Sequence, residues 1–563
     1  MAKFESVSFA VASNLIHRLA SADFREFGQE YRVTEILEEL KNSVESINDK
    51  LLDADVKQDQ DGGVRVWIRK FKKVLHAADD FLDGLALEFM RHKLDTGYGT
   101  EVNKAPYSYS FSNRTDSPIQ MRIEIEEILA SFNDVVQEMH KLNLSSGVVR
   151  QTNSEWRETC STLEQYIIGR DESKKEIISL LEQPKQTVSV IAIVGIGGLG
   201  KTALAQLVYK DLEGSFDKQI WVCVSDNFDV KTILMKILDS INTDSQTQDQ
   251  SSEKLQKQLH KNLSGKKYLL VLDDIWNESY NKWAGLRKYL LCGAQDSKIL
   301  VTTRSENVAK VMAASTSYPL KGLTDEESWT LLKNIAFEDE SQGVNQNLES
   351  MGKEIAKKCK GVPLAVKTMG GLLRRQNEES EWEEVLHGDF WELCEQEDIM
   401  PILKLSYRKL LPEMKQCFAY CSLYPKDSEI LKDELIQLWM AQGYLECSTK
   451  KQQMEVVGNQ FIKIFLANSF FQDAKSNEYG EIISFKMHDL MHDLAMLVAG
   501  NECCYLGNEA EEVKGSPMHV ILESGAIRLL RKLDPSRLRT LMLWGYNEQE
   551  FSLLLQTSNA YVS

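Results

Sequence analysis

Residues Ser189–Thr202 read SVIAIVGIGGLGKT. The stretch opens with an apolar, mostly β-branched run, Val190–Val194. That pattern suits a strand buried on both faces of a parallel sheet. Gly195 through Thr202 then fits G-x-x-x-x-G-K-[ST] at every position, and Ala203–Lys210 follows as a helix former. Strand, glycine loop and helix form the context in which this spacing binds phosphate. Glycines leave room for backbone N–H groups to close around anionic oxygens. The helix N-terminus adds partial positive charge. Gly195, Gly197, Gly198, Leu199, Gly200, Lys201, Thr202 and Ala203 are therefore the candidate phosphate-binding residues. Lys201 is expected at the β- and γ-phosphates and Thr202 at Mg²⁺. A chance glycine-rich turn would account for neither flank.

Downstream, strand-like runs recur at Gln219–Val224, Lys267–Leu272, Lys298–Thr303 and Tyr318–Leu320, with helical patterns such as Val230–Ile241 between them. Alternation of this kind predicts a three-layer α/β domain on a parallel sheet. The run Tyr268–Leu272 ends in Asp273-Asp274, about 70 residues after the glycine loop. Acid at the C-terminal end of an apolar strand is the Walker B arrangement: Asp273 would hold Mg²⁺ and Asp274 could orient an attacking water. The next strand ends in Thr302-Thr303-Arg304. Strand ends of such sheets face the ligand, so Arg304 could touch a γ-phosphate and report its presence; a surface arginine is the plainer reading. Upstream, Ile168-Gly169-Arg170 precedes a helix expected from about Ser173, within reach of the adenine side of the site.

The 563-residue chain is long enough for several domains. Its 66 Lys and Arg against 84 Asp and Glu, net −18, argue against sequence-independent nucleic-acid binding. Ten cysteines with no C-x-x-C read as reduced thiols of a cytosolic protein. No apolar run approaches the ~18 residues of a membrane span. Before the nucleotide domain, four amphipathic patterns predict a helical bundle. Phe4, Val7, Val11, Leu15 and Leu19 mark the first, either a bundle helix or one able to enter a membrane. Val33–Ala54, Val64–Leu85 and a helix opened by Ser117-Pro118 mark the others. Within the third lies ADDFLD, Ala78–Asp83, read as a solvated acidic face or one docked on basic residues elsewhere. Leu142–Cys160 reads as a polar linker.

The ordered blocks GIGGLGKT, WVCVS, LLVLDDIW, ILVTTR, GVPLA, CFAYCSLYPKD and FKMHDL resemble the nucleotide-binding region of plant intracellular immune receptors of the coiled-coil NLR family. The resemblance spans residues 160–495, and ADDFLD is similar to the acidic block of that family's N-terminal domain. The N-terminus lacks a clear match to the membrane-entering pattern of some members.

The resemblance implies roles for further residues. Gly361-Val362-Pro363-Leu364-Ala365, where Pro363 reads as the end of a helix, would pack on the adenine through Pro363 and Leu364. Residues 400–480 would hold a regulatory winged-helix module. Met487–Leu494 is a tandem MHDL repeat. On a helix, His488 and His492 would share a face, which invites a zinc reading, but no third ligand is evident. The family places the histidine of the first copy on the β-phosphate of ADP, here His488, with Asp489 supporting it. Leu538-x-x-Leu541-x-Leu543 fits the strand of a leucine-rich repeat.

The expected architecture is multidomain α and α/β: a four-helix bundle (1–145), linker (146–165), P-loop domain (166–322), helical regulatory domain (323–397), winged helix (398–498) and a linker with a first leucine-rich repeat (499–563). The expected function is an ADP/ATP-binding switch with Mg²⁺, at most a slow ATPase, in plant defence. Its expected partners are a pathogen effector or guarded host protein, and copies of itself. It is expected in the cytoplasm, with plasma-membrane engagement by the first helix when active and no specific nucleic acid. A turnover ATPase or remodelling motor, and an ATP-gated DNA-binding regulator, are the rival readings.

Overall fold

A computed structural model describes residues 9–30, 32–58, 61–97, 118–145, 167–184, 187–224, 228–241, 252–337, 345–374, 376, 378–392, 394, 399–445, 453–508, 510–535 and 537–545. The expected linker at 146–165, Phe4, Val7 and Ser117 lie outside them, as do residues 245–251 of the polar loop that the sequence suggests at Ser245–Glu253; the last two residues of that loop instead open a helix.

The N-terminal unit comprises α1 (Phe9–Leu19), α2 (Ala22–Glu30), α3 (Thr34–Lys57), α4 (Gly62–Gly97) and α5 (Pro118–Met139). The periodic apolar stripes meet in one core: Val44, Ile47, Leu51, Phe71 and Phe132 are fully buried. Trp67 stacks on Phe71 at 6.0 Å, and its indole N–H donates to the Val135 carbonyl at 2.9 Å. The short helix α2 is an addition; its Phe24 and Phe27 bury against the bundle in a segment with only two such anchors, too few to show periodicity.

The nucleotide domain begins with α6 (Asp171–Glu182) and β1 (Ser189–Val194), then α7 (Lys201–Asp211), β2 (Lys218–Cys223), α8 (Val230–Ile241), α9 (Ser252–Leu263), β3 (Tyr268–Ile275), α10 (Tyr280–Leu290), β4 (Lys298–Thr303), α11 (Glu306–Val311) and β5 (Thr316–Pro319). The sheet is parallel throughout, ordered β2-β3-β4-β1-β5. All residues of β1, β3 and β4 are buried, the apolar centres as a parallel sheet requires, and with them the polar Asp273, Asp274, Lys298, Thr302 and Thr303 towards the strand ends. Because β3, β4 and β1 are neighbours, the three chain segments that follow them emerge side by side.

The helices α12 (Asp325–Ala336), α13 (Gln346–Lys358), α14 (Pro363–Leu373) and α15 (Glu379–Leu386) form the next unit. Thr324 and Glu327 close a reciprocal capping box on α12. Pro363 opens α14 instead of ending a helix: it sits in the first turn, where its missing N–H costs nothing. The preceding turn is made by Gly361 at φ 71°, where a Cβ would come within 2.4 Å of the Leu323 carbonyl oxygen.

The following unit combines α16 (Met400–Arg408), α17 (Pro412–Tyr420), β6 (Ile430–Leu431), α18 (Lys432–Ala441), α19 (Met454–Ala467), β7 (Phe471–Ser476), β8 (Ile482–Met487) and α20 (Asp489–Ala499). Its antiparallel sheet runs β6-β8-β7, a hairpin wing over packed helices. Last come β9 (Cys503–Leu506), β10 (His519–Glu523) and β11 (Thr540–Trp544), a parallel three-stranded sheet.

The N-terminal bundle docks on the last two units through charge. Asp55 of α3 pairs with Lys415 of α17 at 2.7 Å, both groups almost wholly buried. Lys72 of α4 pairs with Glu502. The acidic block is docked, not solvated: Asp79 binds Arg18 (2.9 Å) and Arg539 (3.0 Å), and Asp80 binds Arg539 (2.5 Å). Among the described residues no helix is long and apolar enough to cross a membrane.

Candidate functional site

The loop after β1 wraps the start of α7. Gly198 and Gly200 adopt φ 77° and 87°, the left-handed region that favours glycine. A Cβ on Gly200 would meet nothing within 4 Å, so the loop encloses open space there. The Lys201 ammonium, 7% exposed, donates to the Ile196 carbonyl at 2.9 Å. Burial and the nearby Arg304 push it down to about 8. A buried cation beneath open backbone N–H groups suits a polyphosphate, which would restore its charged form.

Two strand ends complete the floor. Asp273, at the end of β3, accepts hydrogen bonds from the Thr202 hydroxyl at 3.0 Å and the Thr302 hydroxyl at 2.5 Å. Burial pushes its carboxyl up to about 6 against those bonds. Thr202 Oγ1 and Asp273 Oδ1 are adjacent hard oxygen donors of the kind Mg²⁺ takes, so the residues fit that ion. Asp274 adopts φ 52°, its N–H donating to Thr302 Oγ1 at 2.8 Å while its carboxylate accepts from the Trp276 indole at 2.7 Å.

Arg304, at the end of β4, stacks its guanidinium 4.4 Å from the Trp276 ring centroid. It donates to Asp489 of α20 at 2.7 Å and lies 3.9 Å from Asp274. The carboxylates of Asp274, Asp427 and Asp489 each offer an oxygen within 4.8 Å of the others. Burial and its two acidic neighbours push the Asp489 carboxyl up, and Arg304 opposes them. Asp427 was missed in the sequence because nothing local links it to residues about 150 positions earlier; it also accepts from the Cys223 thiol at 3.0 Å.

The two MHDL copies part company. His488 is the N-cap of α20, its Nδ1 accepting from the Leu490 N–H at 3.1 Å. Burial, Arg304 and Lys201 push its imidazole down to about 4. His492 lies inside the helix, and its Nε2 donates to the Tyr424 carbonyl at 2.7 Å. The expected shared face does not form, because the helix starts one residue after His488.

The remaining expected residues surround the loop. Arg170 donates to the Lys321 carbonyl at 2.9 Å and the Leu199 carbonyl at 2.8 Å, clipping the glycine loop to the exit of β5. Gly169 at φ 70° lies where a Cβ would strike Glu327, and Ile168 packs beside the helical core. The Leu364 N–H donates to the Gly198 carbonyl at 3.2 Å, so the Pro363 turn sits on the loop. A Cβ on Gly198 would come within 2.9 Å of Leu364, and one on Gly197 within 2.9 Å of Leu490. Leu490 is a second residue the sequence did not single out. A cavity of about 400 Å³ opens beside the loop, lined by Val194, Leu199, Pro319, Cys359, Val362 and Ile399. Its apolar walls and position at the strand ends suit a flat base.

Comparison with known proteins gives the same parts. The NB-ARC domain family matches residues 170–342, the Rx N-terminal domain family residues 11–119, and the disease resistance protein winged helix domain family residues 423–495. The putative disease resistance protein RGA1 of Solanum bulbocastanum is 39% identical over 464 residues, covering 81% of this chain and 46% of the relative. The putative disease resistance RPP13-like protein 1 of Arabidopsis thaliana is 32% identical over 498 residues, covering 86% and 46%. The chain thus spans about half the length of these curated relatives. Among solved structures, a signal transduction ATPase with numerous domains from Pyrococcus horikoshii aligns over 59% of this chain and 42% of its own, at 17% identity and TM-score 0.37.

Proposed function

The chain belongs to the coiled-coil class of NB-ARC plant disease-resistance proteins, and from that premise we propose that it is an ADP/ATP-operated defence switch caught here in its closed arrangement. The observation that carries this reading is the Arg304–Asp489 pair, which joins the phosphate-facing end of β4 to the winged helix.

Lys201 and the loop N–H groups hold the phosphates in both states. Thr202 and Asp273 supply oxygens to Mg²⁺, which would neutralise phosphate charge when bound. Pro363 and Leu364 press on the loop, with the adenine in the adjoining cavity. His488, neutral at cytosolic pH, would contact the β-phosphate. Arg304 has one guanidinium to share between Asp489 and a third phosphate. Engaging the phosphate withdraws it from Asp489 and Asp274, and the winged helix is released. A hydrogen bond to a charged group contributes roughly 1.5–3 kcal/mol. Inverting a 1:99 equilibrium takes about 5.5 kcal/mol, so two or three such contacts suffice. Asp274 stands where it could orient water for slow hydrolysis that resets the switch.

The domain limits proposed are 1–145, 166–322, 323–397 and 398–498, with β9–β11 beginning a leucine-rich repeat array in which Leu541 and Leu543 point into the solenoid. A pathogen effector or a guarded host protein would be the trigger. Release would expose the bundle for self-association at the plasma membrane from a cytoplasmic resting pool.

The test is nucleotide preference. Arg304→Ala should lose ATP affinity by about ten- to hundredfold more than ADP affinity, which falls only as far as loss of the Asp489 pair loosens the closed form. Equal loss of both would contradict the reading.

A further inference from the structure

The face of α4 that meets the C-terminal strands carries Lys72, His76, Asp79 and Asp80, spaced at helical intervals. Lys72 is paired with Glu502, and Asp79 and Asp80 with Arg539. His76 lies between these two anchor points. Both of its ring nitrogens are shut away from solvent, and neither has a hydrogen-bond partner. Its surroundings are cationic: Arg539 and Arg537 lead into β11, Lys72 stands one turn earlier on α4, and His519 projects from β10.

His519 is differently placed. Its Nδ1 lies 2.9 Å from the Thr540 hydroxyl and its Nε2 lies 3.2 Å from the Tyr444 hydroxyl, both groups that can donate or accept. Tyr420 and Gln442 complete that cluster through Thr540. A proton on His519 would still find acceptors. A proton on His76 would find none in the docked arrangement, and would add a third cation beside Arg539 and Lys72. The carboxylates that pair with those cations, Glu502, Asp79 and Asp80, are already committed to them. Water can reach the imidazolium only when the α4 face leaves the strands.

We propose that His76 makes docking of the N-terminal bundle pH-sensitive: the bundle rests on the C-terminal strands while this imidazole is neutral and leaves them when it takes a proton. The direction follows from linkage. Burial and the neighbouring cations hold the docked ring well below the ordinary imidazole range, whereas the released ring titrates normally. The released state therefore binds more protons as pH falls through about 6.5, and docking weakens there. Above that range docking is independent of this residue. Lowering the pH from 7.5 to 5.5 raises the release constant about tenfold for one such group. Asp79 acts in the opposite sense and at lower pH: burial raises its carboxyl in the docked form, against Arg539 and Arg18, so its protonation favours docking.

The test uses the full chain and follows amide exchange of the α4 segment around His76 at pH 7.5 and 5.5, corrected for the intrinsic pH dependence of exchange. In the wild type, protection of this segment should fall about tenfold more than that of β1 and β3. His76→Phe removes the proton site and fills the same space; protection should then change equally in both places. His76→Gln, neutral and polar, serves as the second variant and should behave likewise. An equal pH response of α4 and the core strands in the wild type would overturn the proposal, as would an undiminished α4 response in whichever variant folds.

Discussion

Arg304 and Asp489 lie about 185 residues apart in sequence and 2.7 Å apart in space, one closing β4 and the other opening α20. The pair spans the boundary between the nucleotide domain and the winged helix, so in the proposed switch its strength would enter the balance between closed and open forms directly.

Asp489→Val deletes the carboxylate and leaves Arg304 without its partner. The closed form should lose roughly 1.5–3 kcal/mol, about ten- to hundredfold in population. Release of a fluorescent ADP analogue should accelerate by that factor. An unchanged release rate would assign the latch elsewhere.

Lys201→Arg keeps the charge but replaces a compact ammonium with a fork too wide for its position against the Ile196 carbonyl. Nucleotide binding should be abolished, measured by calorimetry with ADP and Mg²⁺. Binding at wild-type strength would rule out the loop assignment.

Gly198→Ala combines a left-handed backbone, φ 77°, with a Cβ 2.9 Å from Leu364. The backbone penalty alone is about 1–2 kcal/mol. The variant should melt several degrees lower and lose the seating of the Pro363 turn, seen as weakened ADP affinity. Unaltered melting would mean that the loop and α14 do not touch.

Asp273→Asn bears on pH. The folded carboxyl is pushed up to about 6 from an ordinary 3.8, so its folded form prefers the proton. That preference favours folding below pH 4 and is lost as pH rises through 6. Above pH 7 the charged acid costs the nucleotide-free protein up to about 3 kcal/mol. The amide variant should therefore melt higher than wild type at pH 7.5 without nucleotide, yet gain less from Mg²⁺ with ADP. A lower melting point without nucleotide would show that Asp273 is not penalised by burial.

Lys415→Met tests the docking of the bundle. It strips Asp55, itself about 1% exposed, of its direct ion-pair partner, at a cost of up to roughly 3–5 kcal/mol. Limited proteolysis should free the bundle in this variant, and adding Asp55→Leu should restore much of the resistance. Equal protease resistance in wild type and Lys415→Met would show that the pair contributes nothing to docking.

Much of this was legible in the chain. The run Lys298–Thr303 is the strand β4 to the residue, and Val190–Val194 is β1 less its first residue, because a buried parallel strand is apolar through its centre. Val230–Ile241 is likewise α8, since its apolar stripe repeats at helical spacing. Lys201, Thr202, Asp273 and Arg304 converge because strand order sets β1, β4 and β3 next to one another. What escaped depends on contacts between units. Asp427 and Leu490 reach the site only because the winged helix closes over it, and no local spacing encodes that closure. The Pro363 turn read as a helix end because proline breaks helices from within but opens them from the first turn, and only the φ of Gly361 decides which. His488 and His492 read as one helical face until the start of α20 fell between them. Ala78–Asp83 could be read as solvated or docked; Arg539, about 460 residues away, decides it.

The decisive measurement is the mass of the purified chain by light scattering, with the retained nucleotide identified, first as isolated and then after exchange into ATP with Mg²⁺. A switch of the kind proposed retains ADP as a monomer and assembles into a larger particle with ATP, and Arg304→Ala stays monomeric in both. A particle of one mass whatever nucleotide is supplied, or a preparation that holds no purine, would contradict it.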